Sequence, residues 1–534
     1  MRRALARILG GFGGRSAADP DRALAAEVFD RDFYLSTYPD VAASDFDPLT
    51  HFLTLGWREG RDPSSEFSTT KYLAAFPEVA EAGINPFLDH LRTGRRVLPP
   101  AETPEGFRHT VLERLVPVEA RRPPPAPPLS GLDLASELAA SRDRLERLHI
   151  TFSHDDFTAH LGGLQLSIRR EAARLTALGR DHLHIHPARA WQTVRTADEP
   201  YPLGVVWNGR ALGVFTADAI VAALAAAAGA GSGGRSFAVH SMLGHAAHEV
   251  AGILAAAGLS EGVFWLHDFA SLCAGFHLLR NDVEDCAAPP LDSAACAVCL
   301  YEPWRARHVE EHRRLFERLK LTVAAPSRTA LDLWAARADY SPAGAVVLPH
   351  ARLVETGPAP LPAANRPFRL AHLGFTAAHK GWPIFRRLAI THGFDARYAF
   401  HHLGAGGDPE LPVAFEAVSV DAERPGAMTE ALLRAEIDAV LIWPLCQETF
   451  ALVAYEAVAA GCAVITGPDS GNVAAFVRET GHGRVLDDEA ALANAFETGG
   501  ILELGRARRR PMLYDLQLSA LSLDLPGSSL KSQA

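Results

Sequence analysis

From Leu148 onward the chain alternates short apolar runs with amphipathic or Ala-rich stretches of helical length. Leu148–Phe152, His182–His186, Phe237–His240, Val263–His267, Leu321–Ala325 and Ala345–Leu348 read as strands because buried runs this short are bounded by helical segments. Prolines 358, 360, 362 and 367 interrupt the pattern, which restarts at Arg369–Leu373, Tyr398–Leu403, Ala414–Val420, Ala439–Trp443 and Ala463–Thr466. The alternation predicts two doubly wound α/β domains, 146–352 and 368–500, joined by a hinge at 353–367 and followed by a tail, 501–534. Two such domains leave a cleft lined by the carboxyl ends of strands, where open parallel sheets bind ligands.

The region before them follows another rule. Phe29, Tyr34, Pro39, Val41, Pro48, Leu53 and Gly56 recur at a constant offset as Phe67, Tyr72, Pro77, Val79, Pro86, Leu91 and Gly94. Residues 28–96 are therefore two helical copies of one unit, and neither could bury its face alone. Residues 1–27 read as a basic, flexible N-terminus. Residues 97–145 read as a linker, stiffened by the prolines of 123–128 toward polyproline II.

Composition narrows the class. With 48% apolar and 22% charged residues, wholesale disorder is excluded. A net charge of −11 speaks against nucleic acid as the partner, since phosphate backbones require a basic face. No apolar run reaches bilayer-spanning length, the start has no apolar run of signal length, and six cysteines in 534 residues are no disulfide scaffold. A soluble protein of a reducing, cytoplasmic compartment is expected.

The richest segment runs from Leu441 to Thr466. A strand ends near Pro444, a loop carries Glu448, a helix is expected from about Thr449 with Glu456 two turns in, and Gly461 closes it. Glu448 then sits at a strand's carboxyl end beside a helix N-terminus, where N–H groups favour phosphate and a carboxylate can accept bonds from sugar hydroxyls.

The Glu448-x7-Glu456 spacing resembles the signature of family 4 glycosyltransferases, and the resemblance spans about 148–490. It implies a GT-B fold, a nucleoside diphosphate sugar as donor, retention at the anomeric carbon and no catalytic metal. By position Glu448 would hold the donor sugar and Glu456 the nucleotide ribose. Leu373 to Trp382 resembles the family's Gly-Arg-x4-Lys-Gly loop, so Lys380 would clamp the diphosphate; Phe375 stands where Arg is usual. Ser470-Gly471-Asn472 resembles the donor loop, assigning Gly471 and Asn472 to donor binding, with Ala474 where Glu is common. His160 to Leu164 resembles the N-terminal Gly-Gly loop, placing Gly162 and Gly163 opposite the diphosphate. His267, at the end of the Val263–His267 run, is the first-domain candidate for touching the transferred sugar, and His240 a second candidate.

Cys273, Cys286, Cys296 and Cys299 fall close together and end in Cys-x2-Cys; four thiolates so grouped can hold a structural zinc. The resemblance implies sugar transfer to a glycan or lipid-linked acceptor in cell-surface or exopolysaccharide assembly. It further implies peripheral contact of the repeats with the inner membrane or an assembly partner. Two other readings compete: a nucleotide-sugar 2-epimerase, and a non-catalytic scaffold, the latter favoured by Phe375 and Ala474.

Overall fold

The computed structural model describes residues 20–525 apart from 122, 142, 161, 228–233, 364 and 422. Residues 1–19 of the expected basic N-terminus and 526–534 of the expected tail lie outside the described residues. The chain divides into two compact units, at residue 100.

In the smaller unit the repeat explains the helices. Pro39, Pro48, Pro77 and Pro86 each open a helix, the position where a missing N–H costs nothing. Asp47 and Asn85, equivalent in the two copies, accept N-cap bonds from Thr50 and from Phe87 and Leu88. Tyr34 and Tyr72 are buried in one shared cluster with Val41, Phe52, Val79 and Phe87. The Phe52 and Phe87 rings, one from each copy, meet edge to face at 5.7 Å. The Tyr34 hydroxyl lies 3.0 Å from His51 Nδ1 and Tyr72 donates to Asp89 Oδ2 at 2.7 Å, again at equivalent positions.

The larger unit holds two sheets. The first contains β1 (Leu148–Phe152), β2 (Asp181–Pro187), β3 (Leu203–Trp207), β4 (Arg210–Phe215), β5 (Ser236–Val239) and β6 (Glu261–Trp265). A small hairpin, β7 (Leu279–Arg280) and β8 (Glu284–Asp285), precedes its last strands, β9 (Lys320–Ala325) and β10 (Gly344–Val347). The order is β10-β9-β6-β5-β1-β2-β3-β4, parallel except at the β3–β4 edge. The Asn208-Gly209 turn of that edge hairpin has positive φ at both residues, which suits a two-residue hairpin. Along β2, buried His182 and His184 meet Thr151 Oγ1 at 3.0 Å and Ser153 Oγ at 2.8 Å, so this histidine face is core.

After β11 (Ala351–Pro358), the second sheet comprises β12 (Phe368–Phe375), β13 (Tyr398–Ala405), β14 (Val413–Ala417), β15 (Ala439–Leu441), β16 (Ala463–Thr466) and β17 (Gly483–Val485). Its order is β14-β13-β12-β15-β16-β17, and every pairing is parallel. Both sheets are thus doubly wound α/β layers, each with its own core.

Three sequence expectations change. The start of the expected hinge is β11, which pairs antiparallel with β18 (Met512–Leu518). That strand belongs to the expected tail, whose end returns to the first domain: Leu521 and Leu525 pack with Trp265, and Leu523 with Leu175. The expected linker is no free spacer beyond residue 100, because Val118, Leu134 and Leu138 are buried in the first domain's core and Ser130 N–H donates to Val214 O at the β4 edge.

Candidate functional site

The loop between β15 and the helix Leu452–Ala459 carries Glu448. The helix starts later than the sequence suggested, because Ala451 adopts a left-handed conformation at its N-cap. Two neighbouring turns hold the loop. Gly471 has φ +60°, and a Cβ there would lie 2.5 Å from Glu448 O, so only glycine fits. Asn472 N–H donates to Glu448 O and its side-chain amide to Phe450 O, both at 2.8 Å. Asn472, expected to bind donor, spends both groups on positioning Glu448's loop. On the other side Gly381, φ +87°, packs where a Cβ would meet Trp443 O at 2.2 Å, and Leu445 N–H donates to His379 O at 2.9 Å.

These constraints bring Lys380 Nζ to 2.5 Å from Glu448 Oε1. The Glu448 side chain is 12% exposed and that of Lys380 47%. Burial alone pulls the ammonium's pKa down; the Glu448 carboxylate outweighs it and leaves Lys380 above the ordinary lysine value. Phe375, where the resemblance calls for a second cation, is 70% exposed.

Glu456 is buried at 3% exposure and has no hydrogen-bond or ion-pair partner among the described residues. Burial raises its carboxyl to about 7 against the opposing charge of Arg170. Arg170, which the sequence did not single out, lies in the helix Gly163–Ala177 of the first domain. Its Nη2 donates to Ser167 Oγ at 3.0 Å, while its Nε is buried with no hydrogen-bond partner among the described residues. Gly162 and Gly163 open that helix, and a Cβ at Gly163 would meet open space.

The first domain meets the loop directly. Thr449 Oγ1 donates to His267 O at 2.8 Å, Ser327 Oγ to Thr449 O at 2.7 Å, and Gln447 Nε2 to Asp285 Oδ2 at 2.7 Å. His277 and His379 stack at 4.4 Å. Beside them a cavity of ≈ 260 Å³ is lined by Arg121, Gln192, Phe276, Asp282 and Tyr301, among others. His267 does not present a free ring: its Nε2 is 2.8 Å from His240 Nδ1 and its Nδ1 is 3.2 Å from His350 Nε2. Direct contact with a sugar, expected from the resemblance, requires one of these bonds to open. His350 and Glu171, which lies 3.1 Å from His240 Nε2, were not legible as site residues.

Cys273, Cys286, Cys296 and Cys299 do line one small cavity. Yet no group of three or more His, Cys, Asp or Glu among the described residues is arranged to hold a metal. The Arg305 guanidinium lies 2.7 Å from Cys296 Sγ, and burial pushes the Cys273 thiol up to about 12. Among the described residues no helix is long and apolar enough to cross a membrane.

Neither a protein-family model nor a curated protein sequence matches the chain. Solved structures that it resembles include sucrose-phosphate synthase from Thermosynechococcus elongatus, at 15% identity over 68% of this chain and 94% of that one, TM-score 0.40. Anabaena HepE in complex with UDP and glucose follows at 13%, 68%, 93% and 0.40. The α,α-trehalose-phosphate synthase (UDP-forming) of Burkholderia xenovorans has 11%, 68%, 93% and 0.39.

Proposed function

We propose that the larger unit binds a nucleoside diphosphate sugar in the cleft between its two sheets and transfers the sugar, with retention, to an acceptor hydroxyl in polysaccharide assembly. One observation supports this reading most. Lys380 and Glu448, from segments 68 residues apart, are ion-paired on the loop that leads to buried Glu456, which has no hydrogen-bond or ion-pair partner among the described residues.

In this reading the Lys380 ammonium meets the diphosphate and offsets the charge that grows as it leaves, and backbone N–H groups at Gly162, Gly163 and Gly471 add donors. Preorganised donors aimed at developing charge are the main lever in such a site. Glu448, released from Lys380, accepts bonds from sugar hydroxyls, and Glu456 accepts from the ribose. Arg170 supplies a positive charge near Glu456, while Phe375, where the resemblance calls for a cation at the diphosphate, supplies none. The contacts of Thr449 with His267 and Ser327 hold the cleft closed and limit water, and hence donor hydrolysis.

The exposed Phe375 favours a second reading, in which the cleft binds a diphosphate without turnover. Incubation with a panel of nucleoside diphosphate sugars and acceptors, followed by anomeric proton NMR, separates the two. A product with the donor's anomeric configuration supports transfer; diphosphate binding without product supports the second reading; no binding at all contradicts both.

A further inference from the structure

We propose that Glu171 is a positioning residue that sets the tautomers of three linked histidines, His240, His267 and His350, at the edge of the cleft. The proposal rests on the transferase reading only for its kinetic consequence.

Glu171 is fully buried in the helix Gly163–Ala177. Its Oε1 accepts from Ser522 N–H at 2.9 Å, and its Oε2 lies 3.1 Å from His240 Nε2. From there the chain runs His240 Nδ1 to His267 Nε2 at 2.8 Å and His267 Nδ1 to His350 Nε2 at 3.2 Å. The His240 and His267 rings are tilted by only 14°. His350 ends the chain with its ring 5.2 Å from that of Phe450, on the loop carrying Glu448.

The direction of these bonds follows from the carboxylate. An ionised Glu171 can only accept, so His240 must donate from Nε2. A neutral His240 then accepts at Nδ1, so His267 donates from Nε2, and the same logic makes His350 donate from Nε2. The chain leaves one acceptor, His350 Nδ1, which is buried and has no partner among the described residues. A protonated His240 would keep its bond to Glu171 but reverse the two histidine–histidine bonds and leave an unpaired buried N–H at that atom, a costlier defect than an unpaired lone pair. Burial also pushes His267 well below the usual histidine range and His350 down to about 3, favouring neutral rings. For Glu171 burial pushes upward, while the bonds it accepts from His240 Nε2 and the Ser522 N–H favour the ionised carboxylate.

Glu171→Gln should invert the chain. The Ser522 N–H still needs an acceptor, so the new amide must keep its oxygen there and turn its NH2 toward His240 Nε2. That nitrogen must then accept, and all three histidines must change tautomer.

The test is two-bond 15N–1H correlation on full-length protein labelled at histidine, with resonances assigned by His240→Gln, His267→Gln and His350→Gln. The expected parent pattern is Nε2–H at all three rings, and the expected E171Q pattern is Nδ1–H at all three. An Nδ1–H form at any of the three in the parent overturns the proposal, and this reading stands even if the variant fails to fold. Unchanged tautomers in a folded E171Q overturn it equally. In the transfer assay E171Q should lower kcat at least 10-fold with the donor KM within twofold. Flipped tautomers with unchanged kcat would remove the positioning role. A parent without any transfer activity contradicts the transferase reading and leaves the tautomer result standing.

Discussion

Lys380 Nζ lies 2.5 Å from Glu448 Oε1, so the two groups assigned to different parts of the donor neutralise each other in the free protein. A diphosphate must compete with Glu448 for the ammonium. Glu448→Gln removes the competitor while leaving the loop's shape. It should bind bare diphosphate about two- to fivefold more tightly, the scale of a half-exposed ion pair. Turnover should fall on the order of 100-fold, as when one preorganised contact is lost. Calorimetry and a transfer assay on the same variant check both; weaker diphosphate binding would mean that Glu448 does not compete.

Gly471 and Gly163 should respond in opposite ways to alanine. At Gly471 the positive φ and the 2.5 Å approach to Glu448 O leave no unstrained alternative, and Gly471→Ala should cost about 1–3 kcal/mol and most of the turnover. At Gly163 a Cβ meets open space, so Gly163→Ala should match or exceed the parent in thermal stability. If its N–H approaches the diphosphate, affinity drops without loss of stability. A Gly471→Ala variant with parental stability and turnover contradicts the loop's architecture.

Glu456 predicts a pH signature. Its folded carboxyl, raised by burial to about 7 from the ordinary 4.5, binds more protons than the unfolded chain between those values. Stability from this group therefore falls as pH rises through that window, by about 3 kcal/mol in all, and stays lost above it. Glu456→Gln should be little different from parent near pH 4.5 and clearly more stable at pH 8. Denaturant titrations at the two pH values check this; a pH-independent difference contradicts it.

Two truncations distinguish the repeats from the segment between residues 101 and 130. Removal of residues 1–100 should leave diphosphate binding and turnover within a few-fold, since no site residue lies there. Removal of 1–130 also takes Val118 from the core and Arg121 from Asp282 and Tyr301. It should cost about 3 kcal/mol. Thermal melts of both forms decide; collapse of turnover in the shorter truncation would place the repeats in the active site.

Strand runs such as Leu148–Phe152 and Ala463–Thr466 were legible because burial on both faces leaves an uninterrupted apolar signature. The β3–β4 hairpin was missed although Asn208-Gly209 announces it, and β11 and β18 were missed because the ribbon is largely exposed and lacks the continuous apolar run of a buried strand. At the candidate site, the family resemblance had singled out Glu448, Glu456, Lys380 and Gly471. It could not bring out the Lys380–Glu448 pairing, which depends on how two loops pack. Arg170 and Glu171 sit in an Arg-Arg-Glu run that reads as a solvated helix face until the first domain and the returning C-terminal segment cover it. Ser522 lay in the expected tail, and His350 just before the expected hinge. The four clustered cysteines suggested a metal by their spacing, yet among the described residues they form no group arranged to hold one.

Diphosphate binding at Lys380 tests the donor-site assignment most directly. Calorimetry with bare uridine diphosphate should find binding to the parent and a 10- to 100-fold loss in Lys380→Ala, the scale of one charge-assisted bond of roughly 1.5–3 kcal/mol. A Lys380→Ala variant that remains folded and binds the diphosphate like the parent would contradict the assignment of the donor site.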